Sequence, residues 1–240
     1  MVHKRLWRFV VAGAVVACGA AQAGPMSASI DMTQATHYLW RGYDLLGGAK
    51  FPIQPGVTVT HESGLSASLW ASYALLDRSA TKYADESDFT LGYSRTIAEG
   101  VGLSLGGVYY HYPNDSEAKT SELYVGATFS SIPLSPSITA YYDTKWLDGS
   151  TVEASGWYFL AGVSHSVPVS GVSFELSAGL GLASNDSFDG CQDLSLTAGT
   201  TFAVGPIGVS PWVSTALVFQ DAVNTDDIVY SAGVTLSHAF

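Results

Sequence analysis

Few of the reactive side chains in this chain sit where a catalytic pattern would need them. The histidines beyond residue 23 are His37, His61, His111, His165 and His238. A hydrolase would need one of them beside a serine and an acidic or amide group. His111 has Asn114, Asp115 and Ser116 a few residues on, but that is only adjacency within one loop. No Gly-x-Ser-x-Gly elbow, metal-type His spacing or phosphate loop is expected. The chain therefore reads as no enzyme, with no cofactor and no metal. A lipid hydrolase with a Ser–His pair at the outer rim of a barrel is a third reading.

What the chemistry-bearing residues share is parity. Arg41, Trp70, Glu122, Tyr124, Tyr141, Asp143, Lys145, Glu175 and Trp212 fall opposite the apolar positions of alternating segments. Side chains two apart share one face of a strand. In a barrel these residues would line the lumen, where charged rings and aromatic walls set selectivity. On the functional reading, Trp70, Tyr124, Tyr141 and Trp212 offer stacking surfaces to a small polar solute, and Glu122, Asp143 and Glu175 favour cations. On the plainer reading, the aromatics fill space and the carboxylates pair with Arg41 and Lys145, since buried charges must be paired or wet. Further acids, at Asp85, Glu86 and Asp88, Asp115 and Glu117, Asp186 and Asp189, and Asp226 and Asp227, read as solvated loop charge. Asn185 to Asp189 brings oxygen ligands together but lacks the full spacing of a calcium loop.

The elements that must position these residues are strands. About a dozen segments alternate apolar and small polar residues, at roughly 27–40, 54–61, 65–74, 87–96, 101–111, 121–130, 136–146, 153–166, 171–183, 193–203, 208–219 and the C-terminal run. The segment near 153–166 is apolar on both parities and has no clear orientation. That C-terminal run carries Ile228, Tyr230, Ala232, Val234 and Leu236 on one face and closes on Phe240. Tight turns such as Glu62-Ser63-Gly64 alternate with longer polar connections, as in bacterial outer-membrane barrels. No loop looks long enough to fold into the lumen. The polar faces are Ser, Thr and Gly, and aromatics including Tyr38, Trp40, Tyr73, Tyr93, Tyr109, Tyr142 and Tyr230 fall near strand ends, where an interfacial girdle would need them. The expected fold is an all-β, transmembrane, antiparallel up-and-down barrel of about twelve strands over residues 24–240.

The N-terminus supports export. Lys4, Arg5 and Arg8 precede an apolar run and Ala21-Gln22-Ala23, so residues 1–23 read as a cleaved signal peptide. The chain carries 21 Asp and Glu against 10 Lys and Arg, a formal net charge of −11, which argues against a nucleic-acid partner. With Cys18 in the signal, Cys191 has no partner and no disulfide supports the fold; it reads as an unpaired thiol in a loop. The expected location is the bacterial outer membrane, and the expected partners are outer-membrane lipids and lipopolysaccharide, the barrel-assembly machinery (through the strand ending in Phe240) and small polar solutes. The function that follows is passive diffusion of small hydrophilic solutes with a mild cation preference. The alternative is a non-conducting barrel with a plugged lumen and working loops.

Residues Tyr38-Leu39-Trp40-Arg41-Gly42-Tyr43, then Pro52-Ile53-Gln54-Pro55-Gly56, His61-Glu62-Ser63-Gly64-Leu65 and Leu69-Trp70-Ala71-Ser72 resemble the opening of the TorF porin family. Tyr110 to Pro113 and Glu122-Leu123-Tyr124-Val125-Gly126 extend the resemblance over roughly residues 35–130. Tyr43 and Leu45 depart from it, where relatives carry small polar residues. The resemblance implies an outer-membrane barrel and a pore, and no particular substrate. Physically, Arg41 would place a guanidinium at the pore mouth while Gly42 lets the chain bend inward.

Overall fold

In the computed structural model, residues 25–47, 50–81, 83–115, 119–144, 156–185 and 189–240 are described. The proposed signal peptide and Lys145 lie outside them, as do Glu117 and Asp186. Twelve antiparallel strands close into a barrel. They are β1 Met26–Ala35, β2 Lys50–His61, β3 Leu65–Leu76, β4 Asp85–Ala98, β5 Val101–His111 and β6 Thr120–Phe129. The second half is β7 Ser137–Thr144, β8 Gly156–Val169, β9 Val172–Asn185, β10 Asp189–Thr200, β11 Ile207–Val218 and β12 Ile228–Ala239. A short piece, Phe202–Val204, continues β10 and pairs with β11. Each strand pairs with the next, and β12 pairs with β1 from Ser29↔Ala239 to Ala35↔Gly233. Among the described residues closure leaves no unpaired edge strand, which is what a sheet in a non-hydrogen-bonding solvent requires.

The alternation decides which face is which. Leu91, Leu105, Val125 and Val213 point outward and are 67%, 52%, 54% and 58% exposed. Ile30, Met32, Leu69, Phe89, Phe174, Leu176 and Tyr230 join them. A soluble protein would bury such a belt, because apolar surface left in water costs about 25 cal/mol per Å². On the long-loop side of the belt Trp157 stacks on Phe159 at 5.7 Å and meets Tyr142 at 4.8 Å. The opposite, inward parity is lined by hydroxyls, among them Ser66, Ser104, Thr139, Ser195 and Thr197. In the tight turn after β2, Gly64 sits at φ +97°, and a Cβ there would lie 2.1 Å from the carbonyl oxygen of Ser94. Only glycine fits that turn.

The largest departure from expectation follows β1. The first strand does not run to Trp40; it ends at Ala35. Tyr38 and Trp40 are therefore not girdle residues. The chain bends inward and forms a small hairpin, Leu39–Trp40 against Tyr43–Asp44, that crosses the lumen. Its turn has Arg41 at φ +51° and Gly42 at φ +83°, the two positive values of a type I′ turn, whose twist matches a right-twisted hairpin. Gly42 supplies the inward bend, as its type suggests. A loop does fold into the lumen, contrary to the expectation from length, because a two-residue turn needs very few residues.

Two apolar clusters hold the hairpin. Leu46, with no exposed surface, packs with Ala74, Ala84 and Tyr38. Leu39 and Tyr43 pack against Ala216, Val218, Val223 and Val229. The Ser231 hydroxyl donates to the carbonyl of His37 at 2.8 Å, fixing where the chain leaves the wall.

A constriction at the tip of the inward hairpin

The site is built by what the hairpin tip meets. Arg41 reaches across to β6 and donates from Nη1 to Oε2 of Glu122 at 2.7 Å and from Nη2 to Oε1 at 3.0 Å. This is the two-pronged geometry that suits a guanidinium and a carboxylate. Its Cζ lies 4.4 Å from the Trp40 ring, 4.4 Å from Tyr141 and 4.2 Å from Tyr158. Rings at this distance attract a cation through their quadrupole. Gln192 donates to the Arg41 carbonyl at 2.7 Å. Glu122 is 2% exposed and Arg41 14%. Burial works against the Arg41 charge, but Glu122 beside it holds the guanidinium above its ordinary range. On the hairpin's return arm, burial raises Asp44, opposed by His37 and by the backbone N–H groups of Leu46 and Gly47.

The wall is ordered independently of the hairpin. Glu122 accepts from Tyr110 at 3.2 Å. The Tyr158 hydroxyl donates to Asp193 at 2.9 Å. Tyr124, Tyr141 and Tyr158 face one another across β6, β7 and β8, with ring centroids 6.1 Å apart at each step. A cavity of about 460 Å³ runs beside the tip, lined by Trp40, Arg41, Glu122, Tyr124, Tyr141, Tyr158, Leu160, Asp193 and Ser195 among others. A second, of about 240 Å³, lies on the other side of the hairpin between His37, Tyr38 and Trp212.

Four of the nine expected site residues meet here. Arg41, Glu122, Tyr124 and Tyr141 form the constriction. Asp143 lies opposite Glu122 across β6 and β7 and accepts from Thr120 at 2.5 Å. Trp70 packs on Tyr38, at the foot of the hairpin, with centroids 5.4 Å apart, and Trp212 lines the smaller cavity. Glu175 faces inward but lies far down β9, exposed, accepting from Ser166 at 2.7 Å and Ser173 at 3.2 Å. Of the two sequence readings of the carboxylates, pairing describes Glu122 and Arg41.

Other residues belong to the site that the sequence reading assigned elsewhere. Tyr158 and Leu160 orient β8, whose inward apolar residues pack around the constriction while Trp157 and Phe159 point outward. Asp85, Glu86 and Asp88 are not solvated loop charge: β4 begins at Asp85, and all three are buried. Glu86 accepts from Tyr112 at 3.0 Å, while Oε2 of Glu86 and Oδ1 of Asp88 have no hydrogen-bond partner. Asp85 bonds Arg78 and Asn114 at the rim. Cys191 is exposed and lies on β10, not in a loop.

Two features bear on hydrolysis. Contrary to expectation the chain does carry a Gly-x-Ser-x-Gly run, Gly102-Leu103-Ser104-Leu105-Gly106, yet it runs straight through β5 with Ser104 facing the lumen. His61 bonds Ser63 at 2.8 Å, but within the tight turn after β2, at the rim opposite the constriction.

A model of a family described as a bacterial protein of unknown function (Gcw_chp) matches residues 19–143, just over half of the chain. No curated protein matches the sequence. Among solved structures the barrel is similar to a KdgM porin (TM-score 0.55, 10% identity, 88% of this chain and 99% of that one). It is similar to a NanC porin (TM-score 0.57, 12% identity, 88% and 98%) and to LpxR from Salmonella typhimurium (TM-score 0.51, 8% identity, 88% and 99%). At these identities the likeness is one of fold.

Proposed function

The chain belongs to the Gcw_chp family of bacterial proteins, and from that premise we propose that it is an outer-membrane porin, a passive channel for small hydrophilic solutes. The observation that carries this reading is the inward hairpin. It narrows an otherwise hydroxyl-lined lumen to a polar, aromatic constriction around Arg41 and Glu122. The apolar outer belt and the porin-like fold support residence in the outer membrane, reached by way of the N-terminal signal, with lipid and lipopolysaccharide around the belt. The exposed Phe240, whose N–H donates to the Ala28 carbonyl at 2.8 Å, is the proposed handle for the barrel-assembly machinery. The segments that resemble the TorF family include the hairpin and its flanks, which favours the finer assignment to that family.

A mild cation preference is part of the proposal. Glu122, Asp143 and Asp193 face the lumen at or near the tip, against the guanidinium of Arg41, with the adjacent Glu86–Asp88 pair adding at most one more charge. Excess negative charge in a low-dielectric passage concentrates cations and repels anions. A second reading, a barrel closed at rest, is favoured by the tight packing of Leu46 and Leu39. Planar-bilayer recording of the refolded barrel in KCl gradients tests both. Discrete conductance steps with a cation-leaning reversal potential are expected. Silence from protein whose heat-modifiable gel mobility proves it folded would refute the open channel, and an anion-leaning potential would refute the charge argument.

A further inference from the structure

Arg41 is an odd choice for its position. The first central residue of a type I′ turn carries φ +51°, which favours Asn, Asp or Gly and costs other residues about 1 kcal/mol or more. A residue kept against its backbone preference is kept for its side chain. That side chain fills a receptacle made by the opposite wall: Glu122 takes both prongs of the guanidinium, and Tyr141 and Tyr158 cover it.

The receptacle does not depend on its occupant. Tyr110 holds Glu122, Asp193 holds the Tyr158 hydroxyl, and the register of β6, β7 and β8 sets the tyrosine faces. All of these contacts persist if Arg41 swings away. The 460 Å³ cavity opens directly onto the same residues, so a solute can reach them without unfolding the hairpin, whose arms are held elsewhere by Leu39, Tyr43 and Leu46.

We propose that Glu122, Tyr141 and Tyr158 form a binding site for guanidinium-bearing solutes, which Arg41 occupies as a tethered stand-in and a solute takes in transit. This rests on the channel reading and names its substrate class. The exchange replaces one guanidinium by another, so Glu122 is never left as a bare buried charge, which would otherwise oppose any motion of Arg41. Because the hairpin backbone stays in place, the tether and the Trp40 ring under Arg41 distinguish the two states, and the tether favours Arg41 through its high local concentration. The site is therefore weak in the intact protein and strong once Arg41 is removed.

The test is calorimetric titration of the refolded barrel in detergent with butylguanidinium, with butylammonium and butanol as controls. Arg41→Ala is expected to bind butylguanidinium at least about tenfold more tightly than the unaltered chain, since the competing group is gone. Adding Glu122→Gln to Arg41→Ala is expected to weaken it by about tenfold or more, the worth of a charge-assisted two-pronged pair. Butylammonium binds more weakly, and butanol does not compete. Equal binding by Arg41→Ala and the unaltered chain, or no preference for guanidinium over ammonium, would overturn the proposal. If Arg41→Ala loses heat-modifiable mobility, Arg41→Gly, which suits the turn, takes its place. Calorimetry reads the site whether or not the barrel conducts. Binding without conductance would refute only the channel, and conductance without guanidinium binding would refute only the site.

Discussion

Replacing Gly42 by alanine isolates the hairpin from the barrel. Gly42 lies at φ +83°, and a Cβ there would sit 3.2 Å from Asp193 Cβ, 3.2 Å from Val223 Cγ1 and 3.3 Å from Val218 Cγ2. Asp193 and Val218 belong to the wall and Val223, in the connection after β11, is itself buried, so they give way only slightly. The left-handed backbone alone costs a side chain about 1–2 kcal/mol, and the crowding adds to it. Undocking of the tip releases both costs, so the ratio of docked to undocked tip falls by about 5- to 30-fold at 25 °C. The barrel itself is spared, because no ladder pairing of the twelve strands involves residues 36–47. Single-channel recording reads the first effect, as longer or more frequent passages in the wider state. Thermal melting reads the second, as an unchanged midpoint. A melting point lowered by many degrees with unchanged gating would show that the hairpin is a structural brace and would refute the separation of hairpin from barrel.

Two other substitutions probe the same architecture. Leu46→Ala removes a side chain with no exposed surface; a loss of about 2–5 kcal/mol from the docked state follows, and limited proteolysis is expected to cut between residues 37 and 47 in a barrel that otherwise resists. Glu86→Gln with Asp88→Asn removes two buried lumen carboxylates. At about 8 Å and an effective dielectric near 20, one full charge lowers a passing cation by roughly 2 kcal/mol, about 30-fold. Two buried carboxyls this close cannot both ionise, so the pair carries at most one charge and the potassium-to-chloride permeability ratio is expected to fall by up to about 30-fold in gradient reversal measurements. An unchanged ratio would mean that these acids do not face the permeation path.

The barrel was legible because its outward face is written with period two. Leu65 to Tyr73, Val172 to Leu182 and Ile228 to Leu236 each announce a strand whatever lies around them. The hairpin was not, because Tyr38 and Trp40 continue the parity of Ile30 and Met32, and a local pattern cannot tell a strand that continues from one that turns into the lumen. Only Arg41-Gly42 hinted at the turn. Asp85, Glu86 and Asp88 misled for the opposite reason. Charge near a strand end reads as loop, yet a lumen can bury what a core would reject. Tyr158 and Leu160 hid within a segment apolar on both parities, since packing around the hairpin tip makes the inward face apolar at these two positions. Parity did find Arg41, Glu122, Tyr124 and Tyr141, but not that one of them would hold another.

The hairpin follows the first strand in the chain, and while Tyr38 and Leu46 find partners soon after it at Trp70, Ala74 and Ala84, its tip and arms meet residues that come late: Glu122 and Tyr141 at mid-chain, Asp193, Val218 and Val229 near the end. Its place in time is therefore the reverse of its place in sequence. It cannot settle until the far wall exists, and that wall is complete only when the last strand joins the first along the seam from Ser29 to Ala35. A newly closed barrel passes through a moment with an unobstructed bore, and narrowing is the final act of its assembly.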